Sequence, residues 1–377
     1  MTIVCLSPNG VDAYRTAAPP DRVLVATLDG IVRLSRDSAG SWSAADSGLA
    51  GLHVSSLMRE PVRGTVFAGI HGSGLYRSTD DGRSWMPAPH GLQHPHVFTL
   101  AYVESQGAAE IYAGTEPAHL YRSRDYGDSW EELSGLQSAP SREKWNFPAP
   151  PHIAHVKHVT FDPRDSAVMY VCVEQGALLK SSDGGRSFQE LEFQDETYKL
   201  NKDTHRIVFN PKNPDEIYVD GGDGIARSRD AGVTWERVAT PAIRVAYPDH
   251  LYFSPDGDGS LFVAGGGSSP DAWRRTGKAE SAIVISRDNG KSWSQLRGGM
   301  PESLDGNIEA VTMVSWPGGF GFFAGTSDGE VFCSEDKGAT WRLLARTRPV
   351  TKCIHHRNLE IGRANARQAA AQGAAAH

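Results

Sequence analysis

The chain has 377 residues, more than one ordinary domain needs, though that length also suits a single large repeat fold. Hydrophobic residues make up 39% of it and glycine occurs 40 times, the composition of a turn-rich globular protein. A net charge of -7 with no lysine or arginine block argues against nucleic acid and anionic membranes as partners, and no apolar run approaches a membrane span.

The chain starts MTIVCLSPNG, without the basic and apolar regions of a secretory signal, which makes the cytoplasm the expected location. Cys5, Cys172, Cys333 and Cys353 sit singly in apolar stretches with no CxxC spacing, so buried reduced thiols are expected. From Ser35 an eight-residue box recurs. It reads SRDSAGSW at Ser35, STDDGRSW at Ser78, SRDYGDSW at Ser123, SSDGGRSF at Ser181, SRDAGVTW at Ser228, SRDNGKSW at Ser286 and SEDKGATW at Ser334. The first copy is degenerate, with one extra residue between Asp37 and Gly40.

A period of 43 to 58 residues is that of a four-stranded propeller blade, not of a helical repeat. Around each box an apolar strand precedes a Pro/Asp/Gly turn, as in HVTFDPRD and RIVFNPKNPD, and a second strand ends in glycine or an acid. Seven boxes therefore predict an all-β, seven-bladed β-propeller of four-stranded antiparallel blades over residues 1–360. Residues 361–377 form an Ala-rich tail, helical or disordered. Either TIVCLSP or PVTKCIHH supplies the inner strand of blade 1; His355 and His356 join the channel only in the second case.

In the box, the Asp carboxylate and Ser hydroxyl bond nearby backbone as Asx and ST turns do, glycine permits an unusual backbone angle, and the aromatic residue plugs the layer between blades. On these residues the chain resembles the Asp-box, or bacterial neuraminidase repeat, propellers: sialidases, xyloglucanases, sortilin-type receptors and photosystem assembly factors. The resemblance implies that the boxes lie at the blade periphery, so Asp80, Asp125, Asp183, Asp230, Asp288 and Asp336 are read as structural. It also implies that a sialidase would show six blades and an Arg-Ile-Pro motif. Tyr14-Arg15-Thr16 is the nearest string and lacks the proline, which argues against sialidase activity.

If the boxes join the third and fourth strands, they share one face with the first turn of each blade, and the other face, called the top here, carries the remaining loops. Both long periods fall on the top: the crossover Ser134–His152, with Trp145 and Phe147, and the loop Gly265–Ala282, with Trp273, Arg274 and Arg275. Long loops on one face of a rigid scaffold are where binding sites are built, and these two are expected to form a lid.

Aligned on their closing prolines, the inner strands begin with His53, His155, Asp203, Tyr247 and Glu309, and His96 takes the same place by apolar pattern. Eleven of the 14 histidines map to these starts or to top loops. The sequence therefore predicts a divalent transition metal, iron, manganese or zinc with copper as a further possibility, held by His53, His96, His155 and Glu309. A ring of hydrogen-bonded histidines around water is the alternative. Glu174, Asp203, Tyr247 and His71 are the candidate acid, base and oxyanion groups, while His158, three residues from His155 on a strand, is expected to pack between blades. The expected function is a metal-dependent enzyme acting on a small organic molecule, oxidative ahead of hydrolytic. A glycosidase of non-sialidase specificity and a non-catalytic binding or assembly scaffold are the two alternatives.

Overall fold

A computed structural model describes residues 3–11, 13–194, 202–238 and 244–351, the side chain of Arg274 aside. Cys353, His355, His356 and the Ala-rich tail lie outside the described residues. Among the described residues, 29 strands form seven sheets, as the box count predicts. Each sheet has four strands in chain order from the channel outward, and blade 7 gains a fifth.

The inner strands of blades 2 to 7 are Val54–Arg59, His96–Ser105, His155–Asp162, Thr204–Asn210, Tyr247–Phe253 and Ile308–Trp316. Each runs antiparallel to the next strand outward. Outermost strands of blades 2 to 6 are only two residues long, which leaves little unpaired edge.

Blade 1 closes the ring differently. Its inner strand is Ile3–Leu6, from the N-terminus, and it runs parallel to Arg22–Ala26. The chain then crosses the channel: Ser7 Oγ donates to Leu57 O at 3.0 Å and the Thr99 hydroxyl donates to Asn9 O at 2.7 Å. Ala13–Arg15 finally lies along the inner strand of blade 7. Of the C-terminal candidate, the described residues 349–351 form a seam at the top, where Val350 N donates to Thr326 O and Leu28 N to Pro349 O.

The box is the same turn six times. In blade 2, Ser78 Oγ donates to Asp80 Oδ1 at 2.8 Å and accepts from Gly82 N at 2.9 Å, while the Ser84 N–H and hydroxyl donate to the two carboxylate oxygens. The turns at Asp125, Asp183, Asp230, Asp288 and Asp336 repeat it. Asp37 keeps part of the pattern, accepting from Ala39 N and Ser41 N across the extra residue. These carboxylates are consumed by their turns, on the face opposite the candidate site. Apolar side chains fill the layers between blades, and Cys5, Cys172 and Cys333 are buried free thiols.

Candidate functional site

Every inner strand of blades 2 to 7 carries a β-bulge near its upper end, leaving one residue unmatched across the ladder: Ser55, Phe98, Lys157, His205, Asp249 and Glu309. A bulge bends the strand and re-aims the extra side chain. Lys157 of blade 4 reaches Asp249 of blade 6, with Nζ 3.4 Å from Oδ1, so these two side chains meet inside the channel, not between adjacent blades. Two residues before each bulge stand His53, His96, His155, Asp203, Tyr247 and Asn307. The mouth is thus built in two tiers, and alignment on the prolines finds only the upper one.

That alignment misplaces Glu309. The inner strand of blade 7 has two more residues between bulge and closing proline than that of blade 5, so Glu309 belongs to the lower tier and Asn307 to the upper. Glu309 is buried and accepts from Asn307 Nδ2 at 2.8 Å.

The expected metal quartet His53, His96, His155 and Glu309 does not gather. Among the described residues, the group of three whose ligand atoms all lie within 4.8 Å of one another is Glu174, Asp203 and His205. His155 is occupied: Nε2 lies 2.8 Å from Glu174, Nδ1 lies 3.3 Å from Glu116, and its faces are covered by Phe98 at 3.8 Å and Phe147 at 5.2 Å between ring centroids. His53 donates from Nε2 to Thr351 O at 3.0 Å and joins His71 and His96 in an imidazole cluster, with centroids 5.6 and 4.3 Å apart. His71, expected as an acid or base, belongs to that cluster on blades 2 and 3.

The other three expected catalytic residues, Glu174, Asp203 and Tyr247, come together around His205. Its Nε2 lies 3.5 Å from Glu174 Oε1, 3.5 Å from Asp203 Oδ1 and 3.3 Å from the Tyr247 hydroxyl. Its Nδ1 lies 2.6 Å from the carbonyl of Pro248 and 3.4 Å from Asp249 Oδ1. The second Glu174 oxygen accepts from Lys157 Nζ at 2.7 Å and from His155. Asp203, 20% exposed, opens this otherwise buried cluster to solvent, whereas the side chains of His205 and Asp249 are at 0%.

Burial works against each charge, and the partners decide the outcome. It would raise Glu174, but Lys157 and the two imidazoles outweigh it and hold the carboxyl well below the usual range. His155 and His205 are pushed down by burial, His205 also by Lys157, yet their carboxylate neighbours leave both above the ordinary imidazole value. Below them, burial and then Arg206 push His250 well down, and burial raises Asp220. His158, as expected, packs against the next blade, where Ile207 N donates to its Nδ1 at 3.4 Å; burial takes it down to about 4.

The aromatic residues of the two long loops pack down against the mouth. Trp145 and Phe147 are buried, and Trp145 Nε1 donates to Ser141 Oγ at 2.8 Å. Trp273, on the short helix Pro270–Thr276, is fully buried with its ring 6.0 Å from that of Tyr247.

Lys157, His205 and Asp249 carry a sequence signal that position counting passed over. Each lies six residues before its proline, two after the residues that the alignment selected. Glu116 ends the second strand of blade 3 as Glu174 ends that of blade 4, a parallel visible in TEPAH and VEQGA.

This fold and site define a seven-bladed β-propeller with a charged channel mouth. A family model described as Sortilin-Vps10, "Sortilin, neurotensin receptor 3", matches residues 176–303. No curated protein matches the sequence. Among solved structures, an ancestral GH74 enzyme superposes with a TM-score of 0.58 at 18% identity over 78% of this chain, which spans 37% of that enzyme. The WD40 β-propeller domain of Doa1 gives 0.58 at 13% identity, covering 89% of this chain and 95% of that one. YCF48 bound to D1 peptide gives 0.53 at 17% identity, with 89% and 94% covered. At such identities the likeness is one of fold.

Proposed function

We propose that the protein is an enzyme acting on a small polar organic molecule at the top of the propeller channel, by acid–base chemistry of a hydrolytic or eliminating kind. The observation that carries this reading is the convergence of Asp203, Glu174 and Tyr247 on His205 Nε2 at 3.3 to 3.5 Å, at the solvent-facing edge of a buried charged cluster. Several charges are buried there together, each removal from water being costly, and perturbed ionisable groups of this kind concentrate at functional sites. Asp203, being solvent-facing, is the proton acceptor from substrate; the Tyr247 hydroxyl donates to a developing oxyanion, and His205 Nε2 does so only when the ring is protonated on both nitrogens. Carboxylate, imidazole and phenol are proton-transfer groups, which moves the favoured chemistry from oxidative to hydrolytic.

A two-carboxylate sugar hydrolase is the weaker reading, although one structural neighbour is a GH74 enzyme. Such an enzyme needs a protonated carboxyl to donate to the leaving oxygen, and Lys157 with two imidazoles keeps Glu174 ionised. Turnover of a panel of p-nitrophenyl esters, p-nitrophenyl glycosides and lactones tests the proposal. One class should be hydrolysed, with kcat down about 10²- to 10⁴-fold in Asp203→Asn while folding is retained. Binding of an extended peptide with no turnover anywhere in the panel would favour the scaffold.

A further inference from the structure

We propose that Glu174 Oε1, Asp203 Oδ1, His205 Nε2 and the Tyr247 hydroxyl form a binding site for one divalent first-row metal ion, zinc or manganese. The proposal deepens the reading of the mouth as an active site and depends on it only for the ion's catalytic meaning.

Spacing is the first argument. A hydrogen-bonded imidazole draws to about 2.9 Å from its acceptor. His205 Nε2 instead stands 3.3 to 3.5 Å from three oxygens and closer to none of them. Ligands bound about 2.0 to 2.2 Å from one ion in a tetrahedron stand about 3.3 to 3.6 Å apart. The three separations from Nε2 fall in that window.

Orientation is the second. Pro248 O accepts only, so His205 Nδ1 carries the hydrogen of that 2.6 Å bond and, in the neutral ring, the lone pair sits on Nε2, toward the oxygens. A backbone carbonyl on the far nitrogen is how metal-ligating histidines are commonly held.

The third argument is the division of labour on Glu174. Lys157 and His155 both bind Oε2 and leave Oε1 turned to His205. Asp203 Oδ1 is shut from solvent with no hydrogen-bond partner among the described residues, only the His205 ring at 3.5 Å. Two carboxylates, one imidazole and one phenol make an oxygen-rich set with a borderline nitrogen, which suits zinc or manganese better than a thiophilic ion. Bound there, the ion would act as a Lewis acid on a substrate oxygen.

The full chain, stripped with EDTA, is titrated with Zn(II) and Mn(II) by calorimetry and with Co(II) by visible absorbance. One ion per chain is expected. Asp203→Asn and His205→Gln should weaken binding by more than about 100-fold, beyond what an outer partner costs, and His155→Gln by about tenfold. His53→Ala and His96→Ala should leave it unchanged. Asp203 is the most exposed member, so Asp203→Asn keeps the test open if His205→Gln fails to fold by circular dichroism. A stripped wild type that takes up no ion overturns the site, as does binding lost in His53→Ala and His96→Ala but kept in Asp203→Asn. Binding of zinc without turnover of any panel substrate supports the site and counts against the enzyme; turnover at full rate after stripping supports the enzyme and overturns the ion's catalytic role.

Discussion

His205 Nδ1 lies 2.6 Å from the carbonyl oxygen of Pro248, so a ring on the blade 5 bulge is oriented by the backbone of blade 6. A carbonyl accepts and cannot donate, which fixes the Nδ1–H form whenever the ring is neutral. Nitrogen-15 NMR of imidazole-labelled protein, recorded above the raised pKa of His205, should show this less common tautomer at His205, as at His119 and His152, whose Nδ1 atoms also face acceptors. An Nε2–H signature for neutral His205 would contradict the orientation on which the metal site draws.

Gly222 follows the second strand of blade 5 and its amide donates to Asp203 O at 3.3 Å. A Cβ there would collide with Asp203 Oδ2. Gly222→Ala should therefore push the Asp203 carboxylate off the cluster, because a side-chain tip yields more readily than the backbone. We expect zinc affinity to fall about 10- to 100-fold, as loss of ligand positioning does, with the melting temperature within a few degrees of wild type. Unchanged affinity would show that Asp203 has no fixed role.

The Phe98 and Phe147 rings cover His155, whereas His53, His71 and His96 are only partly buried. Diethylpyrocarbonate, read out by mass spectrometry, should modify the blade 2 and 3 cluster quickly and His155 slowly. Phe147→Ala should bring His155 into the fast class and cost up to about 3 kcal/mol of stability. Fast reaction of His155 in the wild type would mean that the crossover is no wall.

The blade count was legible because the box is local: a Ser hydroxyl, an Asp carboxylate and a glycine within five residues complete their turn by themselves, as Ser78, Asp80 and Gly82 do. The site was legible only in part. Glu174, Asp203 and Tyr247 stand at strand ends, where chain order fixes height on the disc. Their companions Lys157, His205 and Asp249 owe their direction to bulges, and a bulge flips the side-chain alternation by one, so an unbroken period of two read along the strand assigns them to the wrong face. Glu309 was assigned to the wrong tier for a different reason. Counting from the proline assumes equal strands, and blade 7 has two extra residues below its bulge. The identity of the closing strand also lay beyond the pattern, because both termini offered an apolar run and only long-range packing selects between them.

Ring closure by Ile3–Leu6 can be tested through packing. Val4, Cys5 and Leu6 are fully buried, and Val4 and Leu6 share a core layer with Val23, Ala310 and Val331 from blades 1 and 7. Leu6→Ala should cost about 2 to 5 kcal/mol in urea unfolding. Leu6→Asp should prevent stable closure, since a lone buried carboxylate has no partner in that layer. A neutral effect of both would mean that the ring closes without the N-terminal strand.

Two sets of groups should govern acid stability, in separate pH ranges. Burial lowers His158 to about 4 from an ordinary 6.5. Between these values the unfolded chain binds a proton that the folded one refuses, so stability present above about pH 6.5 is lost as pH falls toward 4. The hydroxyl and amide of Ser84, Ser187 and Ser292 hold Asp80, Asp183 and Asp288 at about 2, below the ordinary 3.8. Their contribution is complete above about pH 4 and disappears as pH drops through 2. His155, raised by Glu116 and Glu174 despite burial, acts in the opposite sense, stabilising most below pH 6.5 and less as pH rises through its folded value. Thermal melts from pH 2 to 8 should thus show a two-stage decline in acid. His158→Leu should reduce the stage between 6.5 and 4, to which buried His250 also contributes, and leave the lower one, whereas Asp288→Ala should lower the melting temperature by a few degrees near neutrality and shrink only the lower stage. A His158→Leu profile parallel to wild type would place the titrating group elsewhere and remove burial of this imidazole as the cause.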